Sequence, residues 1–460
     1  MTNSRDAAVP DPFLENVRDL LGSDSVLTGD MIGAYERDWT GRWAGAARAV
    51  VRPRDAAEVA ALVHLARRFA VTLIPRGGGT GLVGGAVPSS EGTDVMVCMS
   101  RMKDLSIDPV AGTALLGAGV TLYELNAAAA THGLRFAVDI GSRDSASVCG
   151  MVATNAGGLR MLRWGDAAAQ ILGAEVVTGR GDVLTHLRGL TKDNVGVRWH
   201  QILPGSEGTL AVICRVLVRL VPIPAAVAWA WFPASDARDA VRIASAARRN
   251  AGVSAVEYVH PEGLALVAAL SGRRPPLPGA AVIIEVSARS PETAMDALSE
   301  LSAALNSYDA VVADGPAGRD LWAWRDRHTE SIARVGIPAK CDVAVPLTQW
   351  AAFHDAIPVA LAAVDPELYA VRFGHVADGN LHVNVLRRDG QAPSEDADAA
   401  IWDLAVSCGG TVSAEHGIGV AKAPWLPLVR TPAELTAIEQ LRCAWDPDGI
   451  LSPRTARIPE

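Results

Sequence analysis

At 460 residues the chain exceeds one ordinary hydrophobic core, because single domains usually hold about 100 to 200 residues, and it reads as two or three domains. Hydrophobic residues at 49% against 20% charged supply enough apolar surface to offset chain entropy, which excludes bulk disorder. A net charge of -9 argues against a general nucleic-acid binder, and six cysteines without a CxxC pair argue against a thiolate zinc site, a ferredoxin cluster or a disulfide framework.

The opening MTNSRDAAVPDPFLENVRDL is polar where a secretory signal needs a basic start and an apolar run. No apolar stretch approaches the ~20 residues of a membrane span, so a cytoplasmic protein with reduced thiols is expected. Residues 1–45 are expected to form an N-terminal helical segment. From Ala49 the chain reads strand, helix, strand and glycine loop, with Val59, Leu62, Val63 and Ala66 at helical spacing behind an Asp55 cap and its partner Glu58. Strand and helix alternate through Val95–Met99, Ala114–Ala118, Leu122–His132 and the apolar run Ala211–Val221. Residues 46–222 therefore form one α+β domain. Pro222 and Pro224 break that pattern. Strands near Ala226–Phe232 and Ala281–Val286, separated by an alanine-rich helix, suggest a ferredoxin-like or related antiparallel sheet with helices on one face. This second domain takes residues 223–420, and Ser271–Gly279 is a surface loop within it. Residues 421–460 return to helix and close in the turn DPDGILSP.

The stretch Pro75–Gly85, PRGGGTGLVGG, holds too many glycines for a regular element, where each costs about 0.5 to 1 kcal/mol. Such a run lets successive backbone amides converge on an anion, the recipe for a phosphate-binding nest. No Lys-Ser/Thr pair follows, so it is not a Walker loop, and the GxGxxG spacing followed by an acid about 20 residues on does not make a convincing dinucleotide fingerprint. Three further stretches mix small residues, hydroxyls and amides as backbone against a flat polar ligand would: Ile140–Gly158, Leu190–Gly196 and Pro204–Ile213.

In this order the four stretches resemble the FAD-binding domain of the vanillyl-alcohol oxidase and p-cresol methylhydroxylase family. The resemblance implies FAD on Arg76, Gly77, Gly78, Gly79, Thr80, Gly81 and Leu82 at the pyrophosphate. It also implies contacts from Gly141, Ser142, Ser145, Gly150, Thr154, Asn155, Gly157, Gly158, Glu207, Gly208 and Ile213. No histidine stands in the glycine loop to tether a flavin, so the FAD is expected to be non-covalent. Met151 departs from the family pattern, where Asn is common. Arg143 reads equally as a phosphate partner or a solvated arginine.

Phe373–Val385, FGHVADGNLHVNV, carries a type I′ hairpin signal at Asp378-Gly379. With those two residues as the loop, His375 faces His382, at the separation of about 4.5 to 5.5 Å between Cβ atoms that suits two imidazoles on one metal ion. Asn384 then shares their face. A turn at Gly379-Asn380 would instead pair His375 with Asn384. Ser413–Gly419, SAEHGIG, offers Glu415 as a carboxylate ligand beside His416. Two imidazoles and one carboxylate leave coordination positions open, as catalytic sites do.

GHxxDGNLH followed by EHGIG resembles the metal-dependent FAD-linked 2-hydroxyacid dehydrogenases, most closely those acting on D-2-hydroxyglutarate. The resemblance implies a divalent metal, zinc first with manganese, iron or cobalt as alternatives, on His375, His382 and Glu415, and His416 as base. It also implies substrate contacts from Arg325, Thr329, Lys340, Asn384 and His416. Ala377 stands where relatives carry Gly, at some expected strain, and Lys422 is the counterpart of a basic residue after EHGIG. Leu321–Val345 itself reads as a helix leading to a strand, with Arg325 and Thr329 on one helix face and Lys340 and Asp342 on one strand face. The expected activity is oxidation of a D-2-hydroxyacid by hydride transfer to FAD, with reoxidation by a separate acceptor such as an electron-transfer flavoprotein or a quinone. D-lactate or glycolate oxidation is the alternative within the class, and a non-catalytic flavoprotein subunit the alternative outside it. Oligomeric state is open, a homodimer being the arrangement considered.

Overall fold

The Asp55 side chain accepts the Glu58 amide at 2.9 Å, and the helix it caps runs Ala56–Phe69 with Val59, Leu62, Val63 and Ala66 buried. This helix links strands Ala47–Val51 and Leu73–Arg76, which flank Asp94–Cys98 in parallel; Val26–Leu27 completes the four-stranded sheet as an antiparallel edge. The computed structural model describes residues 11–190, 192–306 and 309–457. Residues 1–10 of the expected N-terminal segment, Thr191 of the Leu190–Gly196 stretch and the last three residues lie outside the described residues.

A second sheet is six-stranded and antiparallel, built on the long strand Ala211–Pro222, which pairs with Thr113–Gly117, Ile171–Thr178 and Leu134–Phe136. Both sheets share one core that includes Val59, Leu73, Val97, Val176 and Val216. The closing turn returns to the first sheet: Leu73 donates to Ile450 O at 2.8 Å, and Ser452 donates back to Leu73 O at 3.0 Å.

The third sheet has seven antiparallel strands in the order Val311–Asp314, Ala226–Ala234, Ala280–Ala288, Val253–Val259, Leu368–Gly374, Asn380–Arg387 and Ala339–Ala344. Helices cover both of its faces, where the sequence suggests one. Ala237–Ala247, Pro291–Ala304, Trp350–Val364 and Glu395–Ser407 pack on one side. Pro261–Ser271, Gly315–Asp326 and His328–Ala333 pack on the other. The physical signal is in Val253–Val259, buried at every position, as a strand covered on two sides must be. Among the described residues no helix is long and apolar enough to cross a membrane.

Candidate active site

The histidine hairpin takes neither expected register. Phe373 pairs with His382 and Val371 with Asn384, so His375–Gly379 form the whole connection. Asp378 does not sit in a two-residue turn because its Oδ1 accepts the Asn380 amide at 3.1 Å, and residues Val376–Asp378 wind into a short 3-10 turn. Gly379 alone takes a positive φ, of 86°, and a Cβ there would fall 2.3 Å from Val345 O. Ala377 therefore carries none of the expected backbone strain. The slip from the first expected register is two residues, which leaves every side chain on its face because strands alternate with period two. His375 and His382 still meet, with ring centroids 5.2 Å apart.

Glu415 completes the group. His375 Nε2 lies 3.5 Å from Glu415 Oε1, and ligand atoms of His375, His382 and Glu415 all fall within 4.8 Å of one another. His375 is aimed by a residue that sequence reading misses: Glu257 Oε1 lies 2.5 Å from Nδ1, and Glu257 Oε2 accepts from Arg325 Nε at 2.7 Å. Against the cost of burial, His375 and Arg325 hold the Glu257 carboxyl down at about 2. Burial also opposes charge on His375, yet Glu257 and Glu415 outweigh it and push the imidazole up to about 9. A site that favours positive charge at this ring, with two nitrogen donors and a carboxylate converging, fits a divalent metal.

Asp342 organises the other side. Its register partner is His382, as Lys340's is Asn384, so the four share one face. Fully buried, Asp342 accepts the amides of Glu415 at 2.6 Å and His416 at 3.1 Å, accepts Asn380 Nδ2 at 2.7 Å, and lies 3.5 Å from His382 Nδ1. Despite that burial, His416, His382 and Lys422 keep its carboxyl well below the usual range. His416 Nδ1 is 3.8 Å from Asp342 Oδ2, and burial lowers the His416 pKa more than Asp342 raises it.

The expected substrate residues are less uniformly assembled. Arg325 is tied to Glu257, and Asn384 is buried on the His382 face. The first helix ends at Asp326 and a second begins at His328, so the face shared by Arg325 and Thr329 is interrupted and Thr329 is exposed. Lys340 is half-buried, with Nζ 5.5 Å from the ring of Trp39.

The flavin stretches lie against one another and against this cluster. A Cβ on Gly77 would fall 2.2 Å from Ser147 Oγ, and one on Gly78 1.8 Å from Ser145 O, so these glycines let the loop press on the Ser142–Gly150 stretch. Gly79 has φ 67°, whereas Cβ atoms at Gly81 and Gly141 would meet nothing within 4 Å. Ser142 and Ser145 are exposed, Thr80 and Leu82 half-buried, and Gly150 donates to the Ser147 cap at 3.2 Å. Exposed glycines beside open space fit a cofactor phosphate. Other expected contacts are occupied within the protein. Arg76 donates to the carbonyls of Ala34, Tyr35, Arg37 and Ala86, and Arg143 pairs with Asp139 at 3.0 Å. Thr154 donates to Gly150 O, and Asn155 bonds Asp166 and the Ala168 amide. Gly208 packs near Ser452 and Pro75, and Ile213 and Met151 are buried in the core. Gly158 donates to Glu415 Oε1 at 2.7 Å, and Gly157 has no room for a Cβ beyond 3.1 Å from that oxygen. The end of the expected flavin stretch thus seats the carboxylate of the candidate metal cluster.

Comparison with known proteins agrees with both halves of this arrangement. Residues 47–186 match a family described as FAD binding domain, and residues 223–456 match FAD linked oxidases, C-terminal domain. D-2-hydroxyglutarate dehydrogenase, mitochondrial, of Bos taurus is 32% identical over 95% of this chain and 82% of its own length. D-2-hydroxyglutarate dehydrogenase of Xanthomonas citri pv. viticola is 32% identical over 91% of each chain. In fold, the structure of p-cresol methylhydroxylase with substrate bound superposes at a TM-score of 0.76 over 98% of both chains at 16% identity. The chain belongs to the FAD-linked oxidase family and is an FAD-linked oxidoreductase.

Proposed function

We propose that the chain oxidises D-2-hydroxyglutarate to 2-oxoglutarate with non-covalent FAD and a divalent metal. The observation that carries this reading is the convergence of His375, His382 and Glu415, with Glu415 seated on Gly158 of the matched FAD-binding segment and His416 next to it in sequence. The likeness to the D-2-hydroxyglutarate dehydrogenases of Bos taurus and Xanthomonas citri pv. viticola supports the choice of substrate.

His375, His382 and Glu415 would hold the metal, zinc first among manganese, iron and cobalt. When bound, the metal supplies Lewis acidity and a template for the hydroxyl and carboxylate oxygens, and the flavin supplies the hydride acceptor. His416 is kept neutral by burial and removes the α-hydroxyl proton at a ring nitrogen. Asp342, beside its Nδ1, then faces the imidazolium. Arg325, with Nε fixed by Glu257, grips a substrate carboxylate with its terminal nitrogens, and Lys340, Asn384 and Thr329 complete the substrate side. Electrons leave to a separate acceptor such as an electron-transfer flavoprotein or a quinone.

One observation favours a second reading. Lys340 already has Trp39 as a partner, which leaves one guanidinium for a one-acid substrate such as D-lactate or glycolate. Steady-state rates on D-2-hydroxyglutarate, D-malate, D-lactate and glycolate with an artificial electron acceptor separate the two. The highest kcat/KM is expected for D-2-hydroxyglutarate; preference for D-lactate or glycolate would overturn the dicarboxylate assignment.

A further inference from the structure

The segment Glu415–Gly419 is held by two carboxylates that reach it from opposite directions. Asp342, on a strand of the seven-stranded sheet, accepts the amides of Glu415 and His416. Glu207, from the Pro204–Ile213 stretch, accepts the next pair: Ile418 N on Oε1 and Gly419 N on Oε2, each at 2.8 Å. Both oxygens of Glu207 are therefore engaged by main chain. The fit is close, because a Cβ on Gly417 would fall 3.0 Å from Glu207 Cδ.

Glu207 reaches this position through an unusual backbone. Its φ is 49°, a left-handed conformation that a long L side chain adopts only where surroundings fix it, and its amide is pinned to Ala153 O at 2.8 Å. Lys422 provides an independent sign that the two carboxylates act together. Its side chain is buried at 2% exposure, Nζ has no hydrogen-bond partner among the described residues, and Asp342 and Glu207 are both among the negative charges that favour its charged form. A buried ammonium without a hydrogen bond is costly unless opposite charge lies near it, and in return it favours the ionised form of both carboxylates, although at Glu207 burial outweighs Lys422 and the two amides and raises the carboxyl above its ordinary range.

We propose that Glu207 is a positioning residue for Glu415 and His416, fixing their segment from the FAD-binding side as Asp342 fixes it from the other. This inference rests on the proposed roles of Glu415 and His416. It moves Glu207 from the flavin, where the sequence resemblance puts it, to the loop that carries a metal ligand and the base. Ligand and base geometry then depend on both sides of the molecule being in register.

The test uses the flavin-loaded chain freed of metal and titrated with Co2+, followed by turnover of D-2-hydroxyglutarate. Glu207→Gln keeps the shape but loses one acceptor oxygen. It is expected to retain the flavin spectrum, bind Co2+ about tenfold or more weakly, and lose about tenfold in kcat while KM stays within about threefold. Glu207→Asp draws the carboxylate back by one methylene from the Ile418 and Gly419 amides and serves if Glu207→Gln does not fold; the same losses are expected. Unchanged Co2+ affinity and kcat in a folded variant would overturn the proposal. So would loss of flavin with Co2+ affinity intact, which returns Glu207 to the cofactor. Glu415→Gln separates the two layers. If it binds Co2+ as tightly as the unaltered chain, the metal assignment fails; if it loses Co2+ while Glu207→Gln remains normal, only the positioning role fails.

Discussion

Glu257 Oε1 lies 2.5 Å from Nδ1 of His375, so one buried carboxylate sets which nitrogen of that ring faces Glu415. The same carboxylate holds Arg325 through Oε2, which joins the proposed substrate cation to the proposed metal ligand through a single side chain. Carboxylates that orient a ligating histidine typically change metal affinity about 10 to 100-fold when lost. Glu257→Gln is expected to weaken metal by that order in a chelator competition and to raise KM, because Arg325 loses its anchor. Breaking a buried ion pair by removing one partner also costs about 3 to 5 kcal/mol, so a lower thermal midpoint should accompany both effects. Unaltered metal affinity would show that Glu257 does not orient His375.

His416→Ala should reduce kcat by about a hundredfold or more while flavin absorbance and metal content remain normal. The expectation follows from an imidazole beside Asp342 that burial favours in its neutral form and that is not a member of the three-residue cluster. Near-normal single-turnover reduction of the flavin would remove His416 from proton transfer.

The glycine loop allows a paired experiment. Gly78→Ala places a Cβ 1.8 Å from the main-chain Ser145 O, which only a backbone shift can relieve, so both stability and FAD content should fall. Gly81→Ala meets no protein atom within 4 Å, so stability should hold while FAD content falls. Thermal midpoints and the ratio of flavin to protein absorbance distinguish them; full FAD occupancy in Gly81→Ala would place the cofactor elsewhere. Acid precipitation should release the yellow colour to the supernatant, and colour retained in the pellet would contradict non-covalent binding.

How legible these features are in sequence depends on whether their cause is local. The Asp55 cap and the helix stripe behind it are set within a few residues, and the structure reproduces them. The face shared by His382 and Asn384 survives a two-residue register slip because alternation, not register, decides it, and the same alternation puts Lys340 and Asp342 on one face of their own strand. In the observed register Val345 donates to Gly379 O at 3.1 Å, a contact between separate segments that hairpin rules do not contain. Glu257 lies inside the apolar run AVEYV, where a lone carboxylate is the visible signal, but its partners His375 and Arg325 are far along the chain. Arg76 and Glu207 have flavin-like sequence contexts, yet their polar atoms meet carbonyls and amides that only the tertiary fold supplies.

His328 makes the chain's acid sensitivity testable at a residue outside the candidate metal cluster. It is fully buried, Nδ1 is 2.8 Å from Trp324 O, and Nε2 has no partner among the described residues. Burial pushes its pKa down from 6.5 to about 4, helped by Arg325 and opposed by the Trp324 carbonyl. Below pH 6.5 the unfolded chain binds this proton and the folded chain does not, so stability is lost as pH falls and the loss is complete near pH 4. The full effect is about 3 kcal/mol, of which about 2 kcal/mol falls between pH 7 and pH 5. His354 is lowered in the same direction, so the comparison must be with a variant at His328. His328→Asn carries its amide nitrogen at the same reach as Nδ1, so it can still donate to Trp324 O but does not titrate. Its urea midpoint should fall less than that of the unaltered chain between pH 7 and pH 5; parallel profiles would show that His328 does not carry the effect.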